Sequence, residues 1–442
     1  MQRNVARARQ LAGGVDTWLT LAFLALMCIG VLMVYSASIA DAYIYYGSPL
    51  YVFQRELVWV GLGFVAMAVA VRVDYRHLQR FALPIFAVSL FLLFAVLAPH
   101  VGQSSHGAQR WFGFGSITIE PSELIKLALA IYMAAWLTSK GEMVRDFKHT
   151  VVPFSMMVGL VAILIVRQPD LGTTIVVTLT MFSVLFIAGA SLTHIAAITL
   201  GASGVGLMLA RGSSYRTGRL TAFMNPWHDP TGVGYHTVQA LLALGSGGIF
   251  GQGLGNSVQK NVLPAPHTDS ILAIIGEEWG IIGTVCILLL FVLVAYRGIR
   301  ITLTAPDNFS RLLAAGITSW ITFQAMLNFA VITSSVPFTG VPLPFISYGG
   351  TSLIVSMVAV GILLNISRHT SGEGIALQAP HHGRRDGGAR LPRTRNHSVA
   401  EPRPVPDRKQ RPRVGPKPAA ATRRPRLGAP TYKAGIPRSG AR

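Results

Sequence analysis

The sequence predicts an all-α membrane protein with about ten spans, and three observations carry that expectation. Residues are 51% hydrophobic and only 13% charged, where a soluble domain carries about 25% charged residues. Ten apolar stretches each approach the roughly 20 residues that a helix needs to cross a hydrocarbon core. Lys and Arg are shared unequally between alternate connections, as the positive-inside bias requires of a multi-pass chain.

The apolar stretches fall at 17–38, 54–72, 78–98, 122–139, 150–167, 171–189, 192–210, 270–297, 309–334 and 346–367. The first follows Arg3, Arg7 and Arg9. It is too long for a signal-peptide core and lacks a clear cleavage site, so it reads as a retained span. Only Gly189-Ala190-Ser191 separates the sixth and seventh stretches, which implies a tight hairpin. Cys28 and Cys286 both lie in apolar runs. A lone cysteine there usually packs as a small interior hydrophobe, and no structural disulfide is expected.

Charge sets the orientation. The richer set of connections holds the N-terminal arginines, Arg72/Arg76/Arg80, Lys140/Arg145/Lys148, Arg297/Arg300/Arg311 and Arg368. These belong to the cytoplasmic side, with both termini. Connections 39–53, 99–121, 168–170, 211–269 and 335–345 then face outward. Residues 1–16 form a cytoplasmic N-terminus, 17–368 the membrane domain, and 369–442 a tail. The tail holds 17 Lys/Arg against 4 Asp/Glu and is rich in proline and glycine. It cannot bury enough apolar surface to fold. It is expected to be a solvated end, or a docking segment for an acidic protein or anionic lipid. No nucleic-acid partner is expected.

The first 368 residues contain only 14 acids. Asp16, Asp74, Glu142, Asp146 and Asp307 fall on the cytoplasmic side. Asp41, Glu56, Glu120, Glu123, Asp170, Asp229 and Asp269 fall at or near the outer face. Glu277 and Glu278 lie about two turns inside the eighth span and are expected to satisfy polar groups within the bundle. His194, His228 and His236 have no metal-ligand spacing, so no zinc site is read.

The long outer connection, 211–269, carries the strongest functional signal. Within it Tyr235 to Leu244 has Val238, Leu241 and Leu242 at helical spacing, too short to span and suited to an interfacial or re-entrant helix. Gly245-Ser246-Gly247-Gly248 and Gly251 to Gly255 allow close backbone approach. The connection ends at Pro266-His267-Thr268-Asp269 and passes straight into Ile271-Leu272-Ala273. Asp269 could cap the eighth span or serve as a general base. Thr268 could cap without a charge, which favours the reactive role.

Four further segments matter. Glu120-Pro121-Ser122-Glu123-Leu124-Ile125-Lys126 opens the fourth span. Glu123 suits the helix dipole, but Lys126 enters an apolar helix and shares a face with Glu123 at i,i+3. A lysine facing a cavity could hold pyrophosphate or tune a carboxylate. Arg167-Gln168-Pro169-Asp170-Leu171-Gly172-Thr173 makes a turn in which Asp170 caps the sixth span. Val341 to Ser352 is a rigid, proline-bearing approach to the tenth span. Arg110-Trp111 suits an interfacial anchor.

Jointly, Arg110-Trp111, Pro121 to Lys126, Gln168 to Thr173, Gly251 to Lys260, His267-Thr268-Asp269 and Pro342 to Ser352 resemble the FtsW/RodA family of polytopic cell-wall proteins. The likeness runs from about Asp16 to Arg368. Asn256 to Lys260 and Ile275 to Glu278 look more like the division branch, whereas Gly247-Gly248 and His236 lean toward the elongation branch. Two departures are Ala265, where relatives often carry Glu, and Ser270 with Leu272, where large aromatics are common.

The resemblance implies a peptidoglycan glycosyltransferase that polymerises lipid II, with Asp269 matching the family's essential outer-loop aspartate and acting as the base. Glu123 and Lys126 match the family's paired acid and lysine. Cationic groups, among Lys126, Arg110, Arg216, Arg219 and Lys260, would stabilise the departing polyprenyl diphosphate. His267 and Thr268 would line the substrate site. The chemistry requires no cofactor and admits Mg²⁺ or another divalent cation. Implied partners are lipid II, a class B penicillin-binding transpeptidase and division proteins, and the implied place is the inner membrane at the septum. The competing readings are a lipid-linked precursor flippase, with Lys126, Glu277 and Glu278 as transport groups, and a division-site scaffold.

Overall fold

The computed structural model describes residues 14–378, except 100, 106, 107, 115, 116, 212 and 213. The expected disordered tail beyond Gln378 lies outside the described residues, as does most of the N-terminal segment. Each of the ten apolar stretches is a helix. In chain order the helices are α1 Thr17–Tyr46, α2 Tyr51–Arg72, α3 Tyr75–Arg80, α4 Ala82–Ala95, α5 Pro121–Lys140, α6 Val152–Arg167, α7 Leu171–Ile187, α8 Leu192–Arg211, α9 Ser214–Met224, α10 Tyr235–Gly247, α11 Ile271–Thr304, α12 Asn308–Ile332 and α13 Gly350–Gln378. Among these, α3, α9 and α10 are not spans. Among the described residues, six segments are long and apolar enough to cross a membrane by themselves. The helix in α13 continues past the expected boundary at residue 368.

Aspartates start three of the apolar helices. Asp16 accepts from Leu19 N at 2.9 Å, Asp170 from Thr173 N at 2.9 Å and Asp307 from Ser310 N at 2.8 Å, the last in a reciprocal capping box. Each satisfies a first-turn amide that has no partner within its helix. At the other end of α1, Gly47 sits at φ 69° and its N–H bonds Tyr43 O, which closes the helix.

The central core is α12, packed against α5, α7 and α11, with α2 laid along α13. Trp320, Leu313, Ile317 and Ile321 are buried there, beside Leu129 and Met133 of α5. Cys28 and Cys286 are free and exposed, contrary to the expectation that they pack inside. An apolar run in a membrane protein has two apolar solvents available, and these two residues face lipid rather than protein.

Two features of the outer half were not legible beforehand. The connection 99–121 folds into a three-stranded antiparallel sheet, β1 Gln103–Ser105, β2 Ala108–Phe114 and β3 Ile117–Ile119. Phe112 pairs with Ile119 and Phe114 with Ile117. Second, α11 is broken at Gly280, whose φ of 66° and ψ of −161° are open to glycine alone. The break lies about 14 Å along the helix from Ile271. The segment following α10 supplies the missing partners: Gln252 N bonds Glu277 O at 2.9 Å and Gly253 N bonds Glu278 O at 3.0 Å. Ile281 N bonds Gly248 O at 3.0 Å. Non-helical backbone at membrane depth persists because another protein segment satisfies it. The short helix expected here, interfacial or re-entrant, is α10, and it packs along α11. Ile271 through Glu278 are all buried.

Candidate functional site at the outer end of α11

Asp269 stands two residues before α11, and its carboxylate caps nothing. Ser270 holds the N-cap position with no side-chain bond to the first turn. Oδ1 of Asp269 receives the Thr268 hydroxyl at 3.0 Å. Oδ2 faces Gly340, where an added Cβ would lie 3.4 Å away. The side chain is half-buried. Burial pushes its pKa above the ordinary carboxylate value, opposed by the Thr268 hydroxyl and by the charges of Arg219 and His267. A carboxylate so placed is a stronger proton acceptor than one in water.

Four elements hold the Pro264–Ser270 turn. From α12, Asn328 Nδ2 donates to Asp269 O at 2.9 Å. From the segment before α13, Tyr348 N donates to His267 O at 2.8 Å. From α1, Asp41 Oδ2 lies 3.6 Å from His267 Nδ1. From α10, His236 Nε2 lies 2.7 Å from Ser270 Oγ, and that hydroxyl donates to Pro264 O at 3.1 Å. The single hydroxyl hydrogen of Ser270 is thereby committed, so His236 Nε2 carries the proton. Burial, then the nearby Arg219, pull the His236 pKa down to about 4. Ala265 adopts φ 50° within the turn, a backbone state costing about 1–3 kcal/mol that persists where the surroundings enforce it.

Arg219 of α9 joins this group. Its guanidinium lies over the Phe338 ring at 5.2 Å and donates to Phe338 O at 3.1 Å. The Phe338 ring also meets His236, with ring centroids 3.8 Å apart. The charge of Arg219 reaches Asp269 and opposes the rise in its pKa.

The other sequence-derived candidates fall elsewhere. Lys126 and Glu123 pair at 2.7 Å, as their spacing implies, with both side chains at or below 3% exposure. Lys126 faces packed protein rather than open space. It donates to Gln324 Oε1 at 2.8 Å and lies 5.1 Å from the Trp320 ring. Arg110 holds the turn before α7: it donates to Gln168 O at 2.8 Å and Pro169 O at 2.5 Å, and meets Asp170 at 3.7 Å. That engagement fits neither an anchor at the lipid interface nor a free cation for a diphosphate. Lys260 is on the exposed loop, donating to Gly255 O at 2.5 Å. The Arg216 side chain lies outside the described residues. Beside Arg110, Glu120 is pushed up to about 7, first by burial and then by Glu123 and Asp170. Glu277 accepts from Ser257 Oγ at 2.5 Å and Val258 N at 3.0 Å, anchoring the loop after α10. Glu278 accepts from Ser36 of α1 at 2.6 Å.

Sequence reasoning missed Gln324 and Asn328. Their signal was present: two amides four residues apart in an apolar helix share one face.

Comparison with known proteins agrees with this architecture. Residues 16–372 match the FtsW/RodA/SpoVE family, described as "Cell cycle protein". The "Probable peptidoglycan glycosyltransferase FtsW" of Geobacter sulfurreducens is 42% identical over 358 residues, covering 81% of this chain and 96% of that protein. "Stage V sporulation protein E" of Bacillus subtilis is 42% identical over 358 residues, covering 80% and 97%. The Thermus thermophilus rod shape determining protein RodA aligns with a TM-score of 0.60 at 28% identity, covering 80% and 97%. A chain from "Structural coordination of polymerization and crosslinking by a peptidoglycan synthase complex" aligns with a TM-score of 0.66 at 27% identity, covering 80% and 98%. With ten apolar helices in the family's arrangement, this chain is a multi-pass membrane protein that belongs to the FtsW/RodA/SpoVE family.

Proposed function

We propose that the chain is a peptidoglycan glycosyltransferase that polymerises lipid II at the outer face of the inner membrane. One observation carries the assignment of the base. Asp269 is held by four elements, is reached by the charge of Arg219, and leaves its carboxylate free of any capping bond. The relatives named as glycosyltransferases support the reaction class.

In this reading Asp269 takes the proton from the acceptor sugar hydroxyl as that oxygen attacks the donor's anomeric carbon. The new glycosidic C–O bond forms as the bond to the diphosphate breaks. Polyprenyl diphosphate leaves as an anion, so one carboxylate suffices where glycoside hydrolysis uses two. Arg219 stabilises the charge that develops on the leaving group. Among the described residues no group of three or more His, Cys, Asp or Glu side chains gathers to hold Mg²⁺ or another divalent cation.

The likeness to a chain of a peptidoglycan synthase complex supports a cross-linking partner, a class B penicillin-binding transpeptidase. The family's description as a cell cycle protein supports placement at the septum, and the Lys/Arg bias of the connections supports both termini in the cytoplasm. A flippase would have to open the cytoplasmic rim. There Arg297 makes a bidentate bond to Asp16, and Tyr75 bonds Asp307 at 2.5 Å, which clasps the helices together.

The test is purified protein with lipid II in detergent, the products resolved by size. The expected result is a ladder of glycan strands. Intact lipid II after prolonged incubation with folded protein would overturn the assignment.

A further inference from the structure

Trp320, Gln324 and Asn328 recur every four residues on α12, and all three are buried, at 1%, 0% and 1% exposure. They form one stripe running toward the outer end of the helix. Gln324 Oε1 accepts from Lys126 Nζ and from Trp320 Nε1, both at 2.8 Å. Neither of those donors can accept, so the amide oxygen must face them. The Gln324 NH₂ is thereby turned toward Pro342 O, which it reaches at 3.0 Å. One turn further out, Asn328 Nδ2 donates to Val341 O at 2.8 Å and to Asp269 O at 2.9 Å. Both partners are carbonyls, so the amide orientation is again forced.

The Val341-Pro342-Leu343-Pro344 segment lacks two backbone N–H groups. Leu343 is fixed locally, its N–H donating to Ser347 Oγ at 2.8 Å, and the side-chain amides of α12 hold the Val341 and Pro342 carbonyls. Its upstream neighbour Gly340, at φ 68°, is the residue facing Asp269 Oδ2. A shift of Val341 therefore moves the wall against the Asp269 carboxylate as well as the backbone anchor behind it.

We infer that Lys126 and Gln324 are positioning residues for Asp269, acting through Pro342, Val341 and Asn328, and that the Lys126 amino group does not touch the departing diphosphate. The inference rests on the reading of Asp269 as the base. It explains why a lysine at or below 3% exposure packs inside the bundle, behind the supports of the reactive carboxylate rather than beside it. It also accounts for the Glu123–Lys126 pair. Glu123 holds the amino group, and the amino group holds the Gln324 amide.

Two measurements test it. In the lipid II assay, Lys126→Met and Gln324→Leu are each expected to lower kcat by about 10- to 100-fold, the scale of a misplacement near 1 Å, with KM unchanged. The double variant is expected to be no slower than the slower single one, because both changes cut the same chain. Losses that multiply, or a raised KM in Lys126→Met alone, would place Lys126 on the substrate and overturn the inference. The second measurement needs no substrate and uses the milder Lys126→Arg. Amide exchange over residues 265–270 and 343–348 is expected to speed up while the rest of the bundle stays protected. Unchanged exchange in those two segments would equally overturn the coupling. Because exchange is read without turnover, it judges the relay even where the wild-type protein fails to polymerise lipid II, a result that would count against the proposed activity instead.

Discussion

The outer end of α11 and the cytoplasmic end of α12 each begin with an aspartate, and the two are used in opposite ways. At the cytoplasmic end Asp307 engages both oxygens: Oδ1 accepts Ser310 N at 2.8 Å and Oδ2 accepts the Tyr75 hydroxyl at 2.5 Å. Burial and the Asp307 contact push the Tyr75 pKa up, which keeps that hydroxyl a donor. Asp16 nearby is as fully occupied, by Leu19 N and Arg297. At the outer end Asp269 is bonded only locally, by the neighbouring Thr268 hydroxyl and its own backbone amide, and gives no help to its own helix. The contrast is one between these aspartates, since buried atoms without a hydrogen-bond partner stand toward both ends, His267 Nδ1 and Asn328 Oδ1 near Asp269 and Arg311 Nε near Asp307. Buried polar groups left unpaired cost stability. Asp16 and Asp307 clasp helices together, and Asp269 keeps polar capacity available for a substrate.

Substitutions at the two ends should therefore separate activity from stability. The largest effect is expected from Asp269→Asn, which keeps the shape but removes the proton acceptor. Polymerisation should fall by about 10² to 10⁴ with the unfolding midpoint unchanged. An active Asp269→Asn protein would mean that both ends are merely structural. At the other end, Asp307→Ala should lower stability by about 0.5–2 kcal/mol through loss of the cap, seen as an earlier thermal transition in detergent. Turnover per folded molecule should hold. A slowed kcat in that variant would blur the division between the two rims.

A smaller effect concerns pH. His236 has a folded pKa of about 4, below the ordinary value of about 6.5. Between these values the unfolded chain binds a proton that the folded chain refuses. The contribution is fully present above about pH 6.5 and is lost as pH falls toward 4. His236→Gln should flatten that part of the stability curve while Asp307→Ala leaves it unaltered. The smallest change is expected from truncation after Gln378. The purified enzyme should polymerise at the wild-type rate, since the whole site lies in 14–378. Weaker midcell fluorescence of the truncated protein would assign the tail to docking, and unchanged placement would remove that role.

How much of this was legible depends on the range of the interaction. All ten spans were visible because hydropathy over about 20 residues is a local property. So were the Asp170 cap and the Glu123–Lys126 pair, each three residues apart or less on one helix. The break at Gly280 was not. A glycine in an apolar helix says nothing until the segment Gly248–Gly253 arrives to satisfy the opened carbonyls. Arg110 was misread for the same reason: its partners, Gln168 and Pro169, lie 58 and 59 residues away.

The sequence by itself determined which segments form the apolar helices and that Asp269 heads the eighth of them. Those follow from composition and from the 3.6-residue period. Tertiary structure alone decided that Asp269 caps nothing, that the charge of Arg219 reaches it while Arg110 is engaged elsewhere, and that Lys126 meets Gln324 198 residues further along. A side chain's partner is set by which helices pack together, and a buried polar group takes whichever complementary group that packing delivers.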